Sequence, residues 1–256
     1  MYYFIENMEL LIDKLDTLKK QGCVAIKVSF EDEGALLNEI VSMRYLTAKT
    51  GLKISIKIGG CEAKRDIMDC VDLCADTIVS PMIESGFALT KFIKSAEGCK
   101  YTGSKGVNIE TIQGYENHKE IISNGGLNFV TFGRVDFVGS IGKNRDYVED
   151  EQVCNMVRTV FQEARHNGLK CYLGGAIGVN TKRVISELKE DGLLDCFETR
   201  YVIFDASVVD MDKYDEIIYK ANEFELEWMK YIKNRYETHA NKDSARINMI
   251  QSRLNK

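Results

Sequence analysis

The stretch NFVTFGRVDFVGSIGKNRDYVEDEQVCNMVRTVFQEARHNGLKCYLGG, residues 128–175, decides the fold class. It opens on an apolar, β-branched run that ends in glycine, NFVTFG (128–133), and closes on a second such run, LKCYLGG (169–175). Between them Val153, Met156, Val157, Val160, Phe161 and Ala164 recur at helical spacing, and the stripe stops at Asn167-Gly168. Strands that are nearly apolar throughout belong in a parallel sheet covered on both faces, and the intervening helix supplies one cover.

The same unit repeats outward from there. Further candidate strands are CVAIKVSF (23–30), KISIKIG (53–59), TIVSPMI (77–83), VNIET (107–111) and ETRYVIFD (198–205). Met8 to Lys20 reads as a first helix closed by Gly22, and Asn180-Thr181-Lys182 leads into Val184, Ile185 and Leu188 before Asp191-Gly192. No Pro/Gly/Ser linker divides the 256 residues, a common size for one TIM (β/α)8 barrel of about 250 residues. The expectation is a single barrel domain over 1–256, with its core at about 22–205 and a helical extension at 212–256. Seven strands are visible and eight are needed; Tyr2-Tyr3-Phe4-Ile5 is the candidate for the missing one. An open doubly wound sheet fits the same pattern. In the extension a helix is expected from about 214 to 238, then a break around Asn241-Lys242-Asp243 and a short final helix. Its apolar residues, Ile217, Ile218, Phe224, Leu226, Trp228, Met229 and Ile232 among them, exceed what a solvated tail carries. They point to a helix that covers the barrel or packs on a neighbouring subunit.

Composition narrows the function classes. Hydrophobic residues make up 45% and charged residues 29%, enough for an ordinary globular core. There is no apolar run of ~18 residues for a membrane span. The N-terminus lacks the basic start and apolar stretch of a secretory signal, so the expected address is the cytoplasm. A net charge of −5 with dispersed basic residues argues against nucleic acid as a partner. The eight cysteines form no CxxC pair, and reduced, buried thiols are expected; Cys70 and Cys74 fall four apart on a predicted helix.

In a barrel of this kind the reacting groups sit where strands end. Read in order, the strand ends give Glu31-Asp32-Glu33, Lys57, Glu84-Ser85, Glu110-Thr111, Arg134 with Asp136, Gly174-Gly175, and Asp205. Glu110 and Asp136 come from adjacent strands, and two such carboxylates suit Mg²⁺ or Mn²⁺, which take oxygen ligands and keep positions open for substrate. On the bare pattern, a helix-capping role fits each acid as well.

Three segments resemble the HpcH/HpaI aldolase/citrate lyase family. Asn108-Ile109-Glu110-Thr111-Ile112-Gln113-Gly114-Tyr115-Glu116-Asn117 is similar to its "IET…G…N" junction. Phe132-Gly133-Arg134-Val135-Asp136-Phe137-Val138-Gly139-Ser140-Ile141-Gly142 is similar to its "G-x-x-D-x-x-x-x-x-G" loop. Val79-Ser80-Pro81-Met82-Ile83-Glu84-Ser85 is similar to its "V-P-K/M-V-E-S/T" strand. Order and spacing agree over roughly residues 22–205. The resemblance implies that Glu110 and Asp136 hold the metal, and that the metal chelates the carboxylate and keto oxygens of a 2-oxo acid. Cleaving the bond next to that carbonyl leaves an enolate, whose charge a Lewis acid stabilises. A bare Gly133 would let backbone approach the ligand.

The chain also departs from the family. An arginine is usual where Lys57 stands; Lys57 supplies charge without a planar fork, and a purely salt-bridged or solvated lysine is the alternative. The loop after the first strand has no histidine and is similar to the acidic loop of the citrate lyase β and malyl-CoA lyase branch. His118, His166 and His239 fall on predicted helices and read as surface residues. The general base then falls to Glu31, Asp32, Glu84 or a metal-bound water. Arg134 replaces the usual proline and is a candidate to bind a substrate carboxylate or phosphate, or else to neutralise nearby acids. Gly174, opening Gly174-Gly175-Ala176-Ile177-Gly178, is a candidate substrate contact through backbone N–H groups. The expected function is a divalent-metal-dependent carbon–carbon lyase acting on a 2-oxo acid such as pyruvate. The alternatives are a citryl/malyl-CoA-type acyl-CoA lyase or thioesterase, and a non-catalytic ligand-binding barrel. The resemblance implies a small-molecule partner and a homo-oligomer, a trimer or hexamer.

Overall fold

The computed structural model describes residues 2–31 and 33–255, with side chains from residue 7 onward. Its eight strands are β1 (Cys23–Ser29), β2 (Lys53–Lys57), β3 (Thr77–Ser80), β4 (Ser104–Ile109), β5 (Phe129–Gly133), β6 (Lys170–Gly174), β7 (Cys196–Glu198) and β8 (Val202–Asp205). They close into a barrel in sequence order. Ten α-helices surround or follow them among the described residues: α1 (Tyr2–Lys20), α2 (Leu37–Thr50), α3 (Lys64–Asp72), α4 (Gly86–Gly98), α5 (Ile112–Glu116), α6 (His118–Ser123), α7 (Arg134–Ser140), α8 (Glu151–His166), α9 (Lys182–Glu190) and α10 (Tyr214–Leu254). The closed TIM-type barrel excludes the open sheet. No helix among the described residues is long and apolar enough to cross a membrane.

The eighth strand is not where the sequence suggested. Residues 2–5 lie at the start of α1, not in a strand. Instead the run 198–205 contains a turn. Thr199 N donates to Val202 O at 2.9 Å, and Val202 N donates back to Thr199 Oγ1 at 3.1 Å, so the chain reverses at Thr199-Arg200. Strands β1 to β7 are parallel to one another, while β8 runs antiparallel to both of its neighbours, β7 and β1. The reversal makes Glu198 a strand end facing the same mouth as the ends of β1 to β6.

Alternate residues point into the barrel, as the two-residue period of a strand requires. Its floor is apolar: Ala25, Cys196 and Ile203 pack with Tyr172, and the Phe129 and Tyr172 rings stack at 4.4 Å. Phe129 fits because Gly106 is bare; a Cβ there would lie 2.1 Å from its ring. One layer up, the inward residues become polar: Lys27, Asn108 and Thr131. The much larger apolar layer lies between barrel and helices, where Ile26, Ile54, Ile56, Ile78, Val130 and Leu173 are buried.

Helix α10 is continuous to Leu254, without the expected break at 241–243. No glycine or proline occurs from Tyr214 to Leu254, so nothing in the backbone forces an interruption. Its first half buries Tyr214, Ile217, Ile218, Ala221, Phe224, Trp228 and Tyr231, and Lys14 of α1 pairs with Glu223 at 3.4 Å. All eight cysteines are free thiols; five are buried, and Cys74 is exposed just beyond α3 at φ 50.

Candidate active site

The C-terminal mouth of the barrel holds a cavity of about 350 Å³. Lys27, Lys57, Asn108, Glu110, Gly133, Asp136, Gly174 and Glu198 line its walls, and Glu33, Arg145, Arg200, Asn222 and Glu225 contribute to its lining as well. Strand ends, the β7–β8 turn and α10 therefore meet at one place.

Glu110 is the buried anchor of the site, only 2% exposed. Its Oε1 accepts from Met82 N at 3.0 Å and its Oε2 from Asn108 Nδ2 at 2.9 Å. Met82 reaches it from the loop after β3 in a left-handed conformation, φ 50, which a side-chain-bearing residue rarely adopts. Lys57, at the end of β2, places Nζ 4.0 Å from Glu110 Oε2 and 3.1 Å from Glu31 Oε2. Burial raises the Glu110 pKa above the usual carboxylate range; Lys57, the Asn108 amide and the Met82 N–H oppose that shift, and Asp136 adds to it. Asp136 lines the same cavity as Glu110. Asp136 stands in the first turn of α7, where a negative charge also suits the helix dipole.

Gly133 is bare for a steric reason: a Cβ there would lie 2.7 Å from Glu110 Oε2. Gly174 is its neighbour across the β5–β6 ladder. A Cβ on Gly174 would come within 3.0 Å of Glu198 Oε1.

Arg134 is a correction. The sequence nominated it for catalysis and for substrate binding, but its side chain is 0% exposed and does not line the cavity. Nε donates to Gly174 O at 3.3 Å, Nη2 to Gly175 O at 2.7 Å, and Nη1 to Glu149 Oε1 at 2.9 Å. It is a structural clamp on the backbone behind the cavity. Burial lowers its pKa, opposed by Glu149. Glu84 is a second correction. It is exposed, lies outside the cavity, and accepts from Thr111 Oγ1 at 2.7 Å, which steadies the cap of α5. Glu31 does not line the cavity either and acts on it through Lys57. Asp32 lies outside the described residues. Of the histidines, His166 and His239 are exposed as expected, but His118 is buried, with Nδ1 2.5 Å from Tyr115 O and its ring stacked on Tyr115.

Sequence reading missed Lys27 and Glu198, which pair at 2.7 Å inside the cavity. Both carried a signal. Lys27 interrupts an apolar strand at an inward position, and the polar pair Thr199-Arg200 interrupts another.

The family model for HpcH/HpaI aldolase/citrate lyase matches residues 42–188, more than half of the chain. The chain belongs to that family. Solved structures similar to this family member include the HpcH/HpaI aldolase from Desulfitobacterium hafniense DCB-2. That one is 15% identical with a TM-score of 0.56, over 63% of this chain and 72% of that one. Citrate synthase SbnG is 14% identical with a TM-score of 0.58, over 69% and 76%. Macrophomate synthase is 14% identical with a TM-score of 0.59, over 77% and 74%. At such identities the likeness is one of fold. A comparison with curated proteins gives no match. Glu110 and Asp136 fall inside the family match; Lys27, Glu198 and all of α10 fall outside it.

Proposed function

We propose that the protein is a divalent-metal-dependent carbon–carbon lyase acting on a 2-oxo acid such as pyruvate through its enolate. The observation that carries this reading is the placement of Glu110 and Asp136 on one cavity, beside Lys57 and over the bare backbone of Gly133. Among the described residues, no group of three or more His, Cys, Asp or Glu side chains is arranged to enclose an ion. Two carboxylates on a polar, open cavity instead fit Mg²⁺ or Mn²⁺, which keep waters and take further oxygens from substrate. When bound, such a cation supplies Lewis-acid stabilisation of charge on the substrate's carbonyl oxygen.

The protein's own residues supply the rest. Asn108 and the Met82 N–H fix the Glu110 carboxylate in one orientation, so an oxygen donor is in place before ligand arrives. Lys57 Nζ offers a cation to the carboxylate or enolate oxygen of the substrate, in the place where the family usually has arginine. Gly133 leaves room for the Glu110 carboxylate to lie against the strand.

The test is metal-linked stabilisation, because a ligand that binds only the folded state raises its unfolding temperature. Thermal unfolding is followed with Mg²⁺ or Mn²⁺, with and without oxalate as an enolate mimic, in wild type, Glu110→Gln and Asp136→Asn. Oxalate is expected to stabilise the wild type only with metal, and neither variant. No response to metal and oxalate in the wild type would sink the reading and leave both acids with structural roles.

A further inference from the structure

One rung of the barrel mouth runs across four strands. Ile109 pairs with Phe132, Gly133 with Gly174, and Leu173 with Phe197, so Glu110, Gly133, Gly174 and Glu198 stand level at successive strand ends. The outer two are carboxylates and the inner two have no side chain. Each glycine is bare against its own glutamate: a Cβ would come within 2.7 Å of Glu110 Oε2 on one side and within 3.0 Å of Glu198 Oε1 on the other. The result is a shelf of buried backbone without side chains, over which the two carboxylates lean, one above each glycine.

The far end of this shelf has its own cation. Lys27 projects inward from the middle of β1, and its Nζ lies 2.7 Å from Glu198 Oε1. The pair joins β1 to β7 past the intervening β8. Glu198 is 7% exposed, and Lys27 is largely buried. An ion pair in a barrel interior is a poor device for stability, since apolar residues of similar volume do as well or better. Both members line the cavity, so the pair faces the space a ligand would occupy. The other carboxylates on the cavity are otherwise placed. Glu110 and Asp136 form the metal pair, Glu33 pairs with Arg200 at 3.4 Å, and Glu225 projects from α10. Glu31 and Glu84 are outside it.

We propose that Glu198 is the general base of the site and that Lys27 is its positioning residue. The inference rests on the 2-oxo acid lyase reading. The substrate sits in the cavity that these residues share, with its carboxylate and keto oxygens toward Glu110, Asp136 and Lys57 and its third carbon toward Glu198. Lys27 holds Oε1 and leaves Oε2 for the substrate. Glu198 takes a proton from that carbon; the C–H electron pair becomes the C2=C3 bond, and the negative charge passes to the keto oxygen. In bond formation C3 attacks the carbonyl carbon of an aldehyde, and Glu198 returns the proton to the new alkoxide oxygen. The reverse sequence cleaves the bond, and each step balances without a further reactant.

The experiment follows loss of the pyruvate methyl signal by proton NMR in D₂O with Mg²⁺, alongside the metal-plus-oxalate unfolding assay. The wild type is expected to speed exchange above the buffer rate. Glu198→Gln, which keeps a hydrogen-bond acceptor for Lys27, is expected to lose about 10²- to 10⁴-fold of that exchange, the usual contribution of a general base, while oxalate still stabilises it. Lys27→Met is expected to lose exchange, and Lys27→Arg to recover part of it. Glu198→Gln exchanging within threefold of wild type, with oxalate stabilisation intact, overturns the proposal and leaves the lyase reading standing. So does a wild type that binds metal and oxalate but exchanges nothing. Absence of metal-linked oxalate stabilisation in the wild type overturns both.

Discussion

Lys57 Nζ lies 4.0 Å from Glu110 Oε2, a cation held beside the most buried carboxylate of the cavity. This contact sets opposite expectations for metal and for anion. A cation at that distance competes with a divalent ion for Glu110 but attracts the oxygens of an acid substrate. Lys57→Met is therefore expected to bind Mn²⁺ more tightly and oxalate more weakly than wild type. Titrating each ligand against unfolding temperature checks this. A variant that loses metal and keeps oxalate binding would contradict the assignment.

Gly133→Ala is expected to damage ligand binding more than folding. The new methyl group would meet Glu110 Oε2 at 2.7 Å, so the carboxylate must turn away. Overpacking of this kind costs about 1–3 kcal/mol. Unfolding in urea should report that modest loss, whereas the metal-plus-oxalate stabilisation should disappear.

Arg134→Met is expected to behave in the reverse way. It removes a buried pair with Glu149 and two hydrogen bonds to the Gly174 and Gly175 carbonyl oxygens, a change worth about 3 kcal/mol or more. The folded fraction should retain metal-linked oxalate stabilisation. Normal urea stability with loss of oxalate binding would restore Arg134 to the substrate.

Alkaline pH should weaken the fold through its thiols. Burial pushes Cys23, Cys70, Cys171 and Cys196 up to about 12, against an ordinary value of 9.0. A pKa raised on folding stabilises the protein fully below the unfolded value, and that contribution is lost as pH rises toward the folded one. Stability should fall between pH 9 and 12, by on the order of 1 kcal/mol per thiol at pH 10. Urea midpoints at pH 8, 9 and 10 measure the slope, and Cys70→Ala should flatten it.

Thiol reactivity offers a simpler check on the same packing. In the native protein Cys74 should react first with a soluble alkylating reagent, and Cys61 and Cys99 more slowly. Cys154 and the four thiols above should stay silent until urea is added. Mass spectrometry of the labelled protein identifies the sites, and early labelling of Cys171 or Cys196 would mean that the barrel opens.

Much of this protein was legible in one dimension because the relevant signals are local. Apolar runs such as NFVTFG and LKCYLGG, the stripe from Val153 to Ala164, and the stop at Asn167-Gly168 each depend on residues within a turn or a strand of one another. They were enough for the repeating strand–helix unit, which an open sheet fitted as well, and for placing Glu110 just after β4 and Asp136 just after β5. The pairing of distant segments was decided by tertiary structure alone. Thr199-Arg200 reverses the chain because Thr199 bonds to Val202 and Tyr201 O accepts from Lys27 N, a contact with β1 that no local pattern encodes. That reversal made Glu198 a strand end and brought it to Lys27. Arg134 and Glu84 carry charge at the right places in sequence, yet the direction of a side chain depends on what packs around it. The carbonyl oxygens of Gly174 and Gly175 and the hydroxyl of Thr111 drew these two away from the cavity.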